Sequence, residues 1–264
     1  MSSHEQKRME PYPTAPLPLV VRSMRAVRQC QDRRPGQPGM VVLYGLSGLG
    51  KSTSAEMIAI KERAIYVEAG ESWNKKFLLQ QLLKQVGYTL DTMPRTIPEM
   101  MESFCTAVSA QRVPVIIDEM DFLTKKQGMV ELLLEAHQKI ANPTILLIGE
   151  EKLRYKLAKW PKVHNRVRYW VEAHKINLDD VQDIIAADNK ALNAEEENHP
   201  GIIDFDPKLL EAVGALCEWN TRRMRTNIDL MREDAQARNL TALGLGDYDL
   251  SKVYTGNPDQ GGMI

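Results

Sequence analysis

The stretch that decides the fold is Gly45-Leu-Ser-Gly-Leu-Gly-Lys51-Ser52. It comes directly after a short apolar run at residues 40–44, which predicts a buried strand, and before a stretch with helical periodicity. A glycine-rich turn between a strand and a helix, with the spacing G-x-x-x-x-G-K-[ST], is typical of a loop that wraps phosphate groups. The sequence therefore predicts a nucleotide site inside an α/β fold.

Each residue type in this loop has a chemical role. The glycines let backbone N–H groups approach the phosphates, and the start of the following helix adds partial positive charge. Lys51 would reach the β and γ phosphates, and the Ser52 hydroxyl would ligate Mg²⁺. The predicted nucleotide contacts in and beside the loop are Gly45, Leu46, Ser47, Gly48, Leu49, Gly50, Lys51, Ser52 and Thr53.

A second apolar run, Val113-Pro-Val-Ile-Ile-Asp118-Glu119, ends in two acids. In a protein with a phosphate loop, Asp118 would support the Mg²⁺ shell, and Glu119 would orient or deprotonate the attacking water. The alternative is that the two acids only cap the end of a strand in solvent. The loop upstream favours the catalytic interpretation.

Strand and helix signals alternate around the loop. Runs of strand length lie at residues 40–44, 64–68, 113–117 and 144–148. Helical periodicity lies at residues 19–31, 77–86, 98–110 and 130–140, with a further helix from about residue 51. This alternation implies right-handed crossovers and a parallel sheet covered by helices on both faces. Beyond residue 177 the strand signals stop, and helices are predicted at 178–190, 207–217 and 221–239.

Four parts are predicted along the chain. They are an extended, proline-rich N-terminal arm at 1–18, an α/β nucleotide-binding domain at 19–176, a small all-helical lid domain at 177–240 and a flexible tail at 241–264. The roughly 20 residues before the first helix are too few for an independent helix-turn-helix unit. Any DNA contact is therefore expected from the nucleotide-binding domain itself.

Composition and charge exclude several classes of protein. The chain has 264 residues, 43% of them hydrophobic, which is typical of a globular protein rather than a disordered or fibrous one. Its 34 basic and 35 acidic residues leave a net charge of −1, so a nucleic-acid site must be a local basic patch. Three widely spaced cysteines, no apolar run of bilayer length and a polar start favour a reducing, cytoplasmic setting without membrane contact.

The acid pair, followed by a helical domain, resembles the arrangement in AAA+ ATPases. Within that class, the loop Tyr-Gly-Leu-Ser-Gly-Leu-Gly-Lys-Ser-Thr at 44–53 and the segment Ile-Ile-Asp-Glu-Met-Asp at 116–121 resemble the transposition ATPases of the phage Mu B type. The short chain and the helix ahead of the loop add to the resemblance. It implies a AAA+ P-loop fold with a helical lid, ATP and Mg²⁺ as cofactors and ATP hydrolysis as the reaction.

The resemblance also implies positions outside the two motifs. Arg166 stands where an arginine finger would reach the γ-phosphate of a neighbouring subunit; the alternative is a surface arginine in a basic stretch. Arg222 resembles the sensor 2 arginine that contacts phosphate, with Trp219 where that motif has glycine. The fourth strand leads into Glu150 and Glu151, whereas AAA+ proteins place Asn, Thr or Ser there as sensor 1.

For DNA, a transposition ATPase would grip the phosphate backbone without reading bases, through basic residues that line a ring or filament. The candidate DNA contacts are Lys75, Lys76, Lys84, Lys125 and Lys126. The alternative for each of them is a solvated lysine on a helix face. Acidic residues near the second strand, Glu68 and Glu71, dilute the positive field there.

The function predicted from these observations is that of an ATPase which oligomerises on duplex DNA when it holds ATP and recruits or regulates a transposase at the target site. Its expected partners are duplex DNA, a transposase and further copies of itself. A helicase-loader type of AAA+ protein, which would prefer single strands, is one alternative. A secretion or signalling ATPase module without a DNA role is another, and it would call for a membrane span.

Overall fold

The computed structural model describes residues 17–195 and 199–257. The predicted N-terminal arm, up to residue 16, and the end of the predicted tail, from residue 258, lie outside the described residues. By their contacts, residues 19–174 form one compact unit, and the described residues from Lys175 onward form a second unit together with Leu17 and Pro18. In the described ranges, none of the helices combines the length and hydropathy of a membrane-spanning helix.

The first unit is built on a five-stranded parallel sheet with the strand order β2-β3-β4-β1-β5. The strands are β1 (Met40–Gly45), β2 (Ile65–Glu68), β3 (Val115–Asp118), β4 (Ile145–Glu150) and β5 (Val167–Glu172). The predicted parallel sheet is confirmed. The sequence predicts only the first four strands, because the charged Arg168 and Glu172 and the half-buried Tyr169 and Trp170 leave β5 without an unbroken apolar run.

Helices cover both faces of this sheet. They are α1 (Pro18–Gln31), α2 (Lys51–Glu62), α3 (Lys75–Gln85), α4 (Ile97–Gln111), α5 (Met120–Thr124), α6 (Gln127–Lys139), α7 (Leu153–Ala158) and α8 (Pro161–His164). Val41 and Leu43 pack with α1 and α2 on one face, whereas Val42 packs with α3, α4 and α6 on the other. The short helices α5, α7 and α8 are too brief for a periodic signal, so the sequence does not predict them.

All five strands run in the same direction, which places their C-terminal ends at one edge of the sheet. Gly45 ends β1, Asp118 ends β3 and Glu150 ends β4. In open α/β sheets, ligands bind at this carboxyl edge. The strand order places β4 between the other two strands, so the loop after β1 and the acids after β3 flank the end of β4.

A buried arginine joins the segments at the N-terminal ends of β1 and β4. The guanidinium of Arg33 donates to the carbonyl oxygens of Cys30 (2.5 Å), Gln37 (3.0 Å) and Pro143 and to Thr144 Oγ1 (3.2 Å). These acceptors belong to the end of α1, the connection to β1 and the approach to β4. One side chain therefore joins three segments of the chain.

His137 lies beside this clamp, in the last turn of α6. Its Nε2 is buried and has no hydrogen-bond partner among the described residues. Burial, together with the positive charges of Arg166 and Arg33, lowers its pKa from 6.5 to about 4. The folded protein therefore favours the neutral ring. The free energy of unfolding keeps its full value above pH 6.5 and decreases as the pH falls from 6.5 towards 4, because the unfolded chain then binds a proton at His137 that the fold does not.

Replacing His137 by glutamine should flatten the pH dependence of stability. Between pH 7.5 and 5.5 the parent protein should lose about 1 kcal/mol more unfolding free energy than His137→Gln, because only the histidine must give up a proton on folding. Urea unfolding at the two pH values measures this difference. The same loss in both proteins would show that His137 titrates in the fold as it does in the unfolded chain.

The second unit contains α9 (Leu178–Glu195), α10 (Pro207–Leu216) and α11 (Thr221–Ala237). It is not all helical, because β6 (Asp204–Phe205) pairs in parallel with β7 (Ala242–Leu243). Two-residue strands are too short to leave a pattern in the sequence. The predicted helical region is present, with this small sheet as a correction.

The predicted flexible tail is also corrected, for residues 241–257. Tyr248 and Val253 are buried, and the backbone of Tyr254 exchanges two hydrogen bonds with the side chain of Asn227 on α11, at 2.7 and 3.0 Å. The apolar residues of this segment have neither helical nor strand spacing. The sequence therefore gives no sign of the packing, which depends on the surface of the helices.

Candidate nucleotide site

The loop after β1 has a backbone that only glycine adopts without strain at several positions. Gly48 and Gly50 have φ angles of 79° and 83°, and a Cβ on Gly45 would lie 2.8 Å from the Cβ of Ala173. Gly50 immediately precedes α2, and no side chain caps the first N–H groups of that helix. Such N–H groups, at the positive end of a helix, are suited to bind a phosphate.

The side chains of the loop divide into three kinds. Lys51 Nζ donates to the carbonyl oxygens of Gly45 (3.0 Å) and Leu46 (2.8 Å), so the ammonium group lies within the curve of the loop. Ser52 and Thr53 are exposed on the first turn of α2, where their hydroxyls are accessible. Leu49 is buried in the core, so only its backbone can contact a nucleotide.

The predicted acid pair lies where β3 ends. The carboxylate of Asp118 is buried and accepts hydrogen bonds from the hydroxyl of Tyr66 (3.1 Å) and from the N–H of Glu119 (2.8 Å). Glu119 has φ 53° and ψ 38°, the left-handed region that non-glycine residues rarely adopt. Strained backbone of this kind is concentrated at functional sites, where the surrounding structure maintains it.

Electrostatics link the acids to the loop. Burial and the neighbouring carboxylates of Asp118 and Asp121 raise the pKa of Glu119, while the positive charge of Lys51 opposes that shift. Burial lowers the pKa of Lys51, and the charges of Asp118, Glu119 and Glu150 counteract the effect. The fold therefore brings the predicted lysine and both predicted acids into one electrostatic unit.

The donor set fits Mg²⁺ held jointly with a nucleotide. The Ser52 hydroxyl and the Asp118 carboxylate are hard oxygen groups, which Mg²⁺ prefers. In the described ranges, no cluster of three histidines, cysteines or acids could hold a metal ion by itself. Mg²⁺ commonly takes one or two protein oxygens and fills its other positions with phosphate and water, which matches this sparse set.

Tyr66 contacts the predicted acid pair, and the sequence pattern does not point to it. It lies on β2, and burial and the adjacent Asp118 carboxylate raise its pKa, so the phenol stays protonated and can donate to Asp118. A lone tyrosine in a strand carries no distinguishing pattern. Only the pairing of Glu68 with Asp118 between β2 and β3 brings the two side chains together.

Arg166 lies at the N-terminal ends of the strands, immediately before β5. Its carbonyl accepts a hydrogen bond from the N–H of Met40 (2.8 Å), at the start of β1, whereas the phosphate loop follows the end of β1. The length of β1 separates the two by about 17 Å. Arg166 therefore cannot reach the phosphate loop of its own chain, and its role as a finger stays a prediction about a neighbouring subunit.

Arg222 lies in the first turn of α11, in the second unit, and its predicted phosphate contact stays a prediction. Trp219, which replaces the expected glycine, has φ 56°, so tryptophan adopts the left-handed backbone there. Its ring packs against Gly214, where a Cβ would lie only 2.7 Å from the ring. The sequence thus departs from the sensor 2 motif at Trp219, where the left-handed backbone occurs together with the packing of the indole ring on Gly214.

Two of the predicted DNA-contacting lysines are engaged within the protein. Lys125 pairs with Glu71 (2.8 Å), and Lys126 Nζ donates to the carbonyl oxygens of Glu71 (2.6 Å) and Trp73 (2.9 Å). Both partners of the Lys125 pair are exposed, and such pairs are worth little because water and salt screen them. Lys125 is therefore available to another anion, whereas Lys126 mainly fastens the loop that follows β2.

The other three predicted lysines lie on α3. Lys75 is half-buried against Gly128, at the start of α6 and three residues after Lys125. Lys76, the next residue on α3, is exposed. Lys84 is exposed but lies about 13 Å further along the same helix. The structure thus places Lys125 and Lys126 at Glu71 and Lys75 at the start of α6, with Lys76 next to Lys75 on α3, and leaves Lys84 further along that helix.

Comparison with known proteins agrees with this geometry. Residues 33–157 match the family described as the AAA domain, and no curated protein matches the sequence. The matched segment contains both phosphate motifs, and the five-stranded parallel sheet is that of the AAA+ P-loop fold. The predicted AAA+ P-loop fold is confirmed.

Solved structures with the same fold include archaeal ORC and Cdc6 proteins. The ORC2 protein of Aeropyrum pernix, in its ADPNP–ADP complexes, matches with a TM-score of 0.67 and 16% identity over 84% of this chain and 64% of that one. The ORC1 protein of Aeropyrum pernix in complex with DNA matches at 0.58 and 21%, over 85% and 61% of the two chains. Cdc6p of Pyrobaculum aerophilum matches at 0.59 and 12%, over 86% and 64%.

These likenesses establish the fold and no finer relationship. All three identities are low, and the chain spans less than two thirds of the length of each of these structures. The comparisons place the chain among AAA+ folds. The more specific resemblance to the Mu B-type transposition ATPases therefore remains a proposal.

Proposed function

We propose that this protein is an ATP-dependent DNA-binding ATPase that assembles on duplex DNA when it holds ATP and leaves the DNA after hydrolysis. The observation that carries the proposal is the division of the nucleotide site. The phosphate loop and the acids Asp118 and Glu119 lie at the C-terminal ends of the strands, and Arg166 lies at their N-terminal ends. An arginine placed in this way can complete the site only on a neighbouring copy, which couples assembly to turnover.

The residues have distinct roles in the proposed reaction. Lys51 binds the β and γ phosphates, while Ser52 and Asp118 hold Mg²⁺, which neutralises charge on the phosphate oxygens. Glu119 accepts a proton from the attacking water, and Tyr66 keeps the Asp118 carboxylate oriented. The positive charge of Arg166 from the next subunit stabilises the charge that develops on the transferred phosphate.

DNA contact is proposed at four lysines at the start of α3 and immediately before α6, namely Lys75, Lys76, Lys125 and Lys126. Their contribution would be attraction to the phosphate backbone without base recognition, as a protein with a net charge of −1 must concentrate its positive charge locally. One structure with the same fold, the Aeropyrum pernix ORC1 protein, was solved in complex with DNA, which supports a DNA role.

At the finer level we propose that the assembled protein regulates transposition by selecting target DNA and recruiting a transposase. This rests on the resemblance of the two phosphate motifs to the Mu B type. The structural likeness to archaeal ORC and Cdc6 proteins favours a second candidate, a helicase-loader type of AAA+ protein that prefers single strands. The two candidates differ in the DNA form that ATP makes them bind.

Reversing two exposed charges should test the DNA role. The variant Lys76→Glu/Lys125→Glu should weaken ATP-dependent binding to duplex DNA and reduce the slope of log K against log salt by about 2, one unit for each lost phosphate contact. Fluorescence anisotropy with duplex and single-stranded oligonucleotides, in ATP and in ADP, measures this. Electron microscopy of the ATP complex shows whether rings or filaments form.

The matched control is Lys61→Glu/Lys159→Glu, which makes the same change in net charge at two other exposed lysines. It should bind duplex DNA nearly as well as the parent protein. Equal weakening by both variants would mean that only net charge matters and would remove the proposed DNA site. Preference for single strands would favour the helicase-loader candidate, and no binding in any nucleotide state would overturn the DNA role.

A further inference from the structure

Asp121 is a buried acid that the roles above do not use. It lies in α5, two residues after Glu119, and its side chain is 9% exposed. Its Oδ2 accepts a hydrogen bond of 2.7 Å from the N–H of Glu150, and its Oδ1 accepts one from Nζ of Lys156 on α7. One carboxylate therefore joins the helix after the catalytic acids to the end of β4 and to α7.

The approach of Asp121 to β4 depends on a glycine. A Cβ at Gly149 would collide with Asp121 Oδ2 and would lie 2.9 Å from Leu153. Gly149 has no positive φ, so the close approach of the side chain, and not the backbone conformation, excludes a larger residue. The contact between α5 and β4 therefore requires glycine at position 149.

Glu150, whose N–H is held in this way, occupies the position where the resemblance places sensor 1. Its charge acts on the pKa of both Lys51 and Glu119, so the direction in which it projects changes the electrostatics of the nucleotide site. Its side chain is exposed and is not itself held by packing. The hydrogen bond to the Glu150 backbone is thus the contact that determines where the Glu150 carboxylate can lie.

We propose that Asp121 is a positioning residue for ATP hydrolysis. It fixes the backbone at Glu150, and so the place of the Glu150 carboxylate relative to Lys51 and Glu119, while Lys156 compensates the charge of Asp121. Asp121 does not contact nucleotide or water in this assignment. The inference rests on ATP hydrolysis at this site and is independent of the proposed DNA role.

The consequence for Asp121→Asn follows from the geometry. The asparagine is nearly isosteric and still offers an oxygen to Glu150, but it loses the charge that holds Lys156 and presents an N–H₂ group to one of its two donors. A small displacement of a group that acts on the reacting atoms can cost 10-fold or more in rate. We expect kcat to fall by about 10-fold and KM for ATP to change by less than about 2-fold, because the phosphate loop is untouched.

A double-mutant cycle with Glu150→Gln distinguishes positioning from a general loss of structure. If Asp121 acts through Glu150, then in the Glu150→Gln background the further change Asp121→Asn should alter kcat by less than about 2-fold. The milder variant Lys156→Gln should change kcat in the same direction as Asp121→Asn. Val108→Ala, a core change in α4 that leaves these contacts intact, controls for lowered stability.

Amide hydrogen exchange in the nucleotide-free protein gives a readout that does not depend on activity. Asp121→Asn should raise the exchange rate of the Glu150 N–H by about 10-fold, while the N–H groups of β1 keep their protection. Unchanged exchange at Glu150, or an equal effect of Asp121→Asn on kcat with and without Glu150→Gln, would overturn the inference. Absence of hydrolysis in the parent protein would instead contradict the proposed ATPase activity and with it the role of Asp121 in hydrolysis, while the exchange result would still show whether Asp121 holds the Glu150 backbone.

Discussion

Glu119→Gln should lower the rate of ATP hydrolysis by about 10²–10⁴-fold and leave nucleotide binding nearly unchanged. Glutamine has the shape of glutamate but cannot accept a proton from water, and removal of a general base has effects of this size. Lys51 and the N–H groups at the start of α2, to which we assign phosphate binding, are untouched. Single-turnover hydrolysis and equilibrium binding of a labelled ATP analogue measure the two effects separately.

The control for this experiment is Glu151→Gln, which removes an exposed acid from the turn after β4. It should hydrolyse ATP at close to the parent rate. In the proposed function, Glu119→Gln should also prolong the ATP-bound assembly on duplex DNA, because hydrolysis releases it. Hydrolysis by Glu119→Gln at the parent rate would exclude Glu119 as the base and direct attention to Glu150.

Arg33→Met should lower the free energy of unfolding by about 3 kcal/mol. Arg33 is 6% exposed, and its guanidinium satisfies three backbone carbonyl oxygens and the Thr144 hydroxyl. Methionine fills much of the same space but leaves those oxygens without a donor, and each unsatisfied buried group costs about 1–3 kcal/mol. Urea unfolding monitored by circular dichroism measures the change.

Two further variants sharpen the result for Arg33. Arg34→Met removes the same charge from the exposed neighbouring position and should change stability by less than about 0.5 kcal/mol. Arg33→Lys should recover only part of the loss, because a single ammonium cannot reproduce the planar fork that reaches several acceptors at once. If Arg33→Met and Arg34→Met unfold at the same urea concentration, the clamp contributes nothing to stability.

The local motifs could be predicted because neighbouring residues carry them. Gly48 and Gly50 adopt positive φ angles, and Lys51 curls back onto the carbonyls of Gly45 and Leu46, all within a few residues. The four predicted strands each carry an apolar run. The strand β5 and the packed segment after residue 241 carry no such run, and contacts with distant elements hold them in place, so the sequence gives no local sign of them.

The site beyond the motifs could not be predicted in the same way. Asp121 lies inside the segment 116–121 that carries the acid pair, and Lys156 lies among other basic residues, at 152, 154, 159 and 162, that have no distinguishing pattern. Nothing in either pattern indicates that the two side chains meet, or that they meet at the N–H of Glu150. The same holds for Tyr66 and Asp118, which are on neighbouring strands but far apart in the chain.

The sequence by itself determined the phosphate loop, the acid pair and the alternation of strands and helices, because glycine conformations, apolar runs and helical periods are properties of short segments. Only the tertiary structure decided the strand order, the edge on which Arg166 lies and the partners of Asp121 and Tyr66. The physical reason is that burial and hydrogen bonding between segments are satisfied by the fold as a whole. Side chains with no local signal therefore acquire their roles from the strands and helices that surround them.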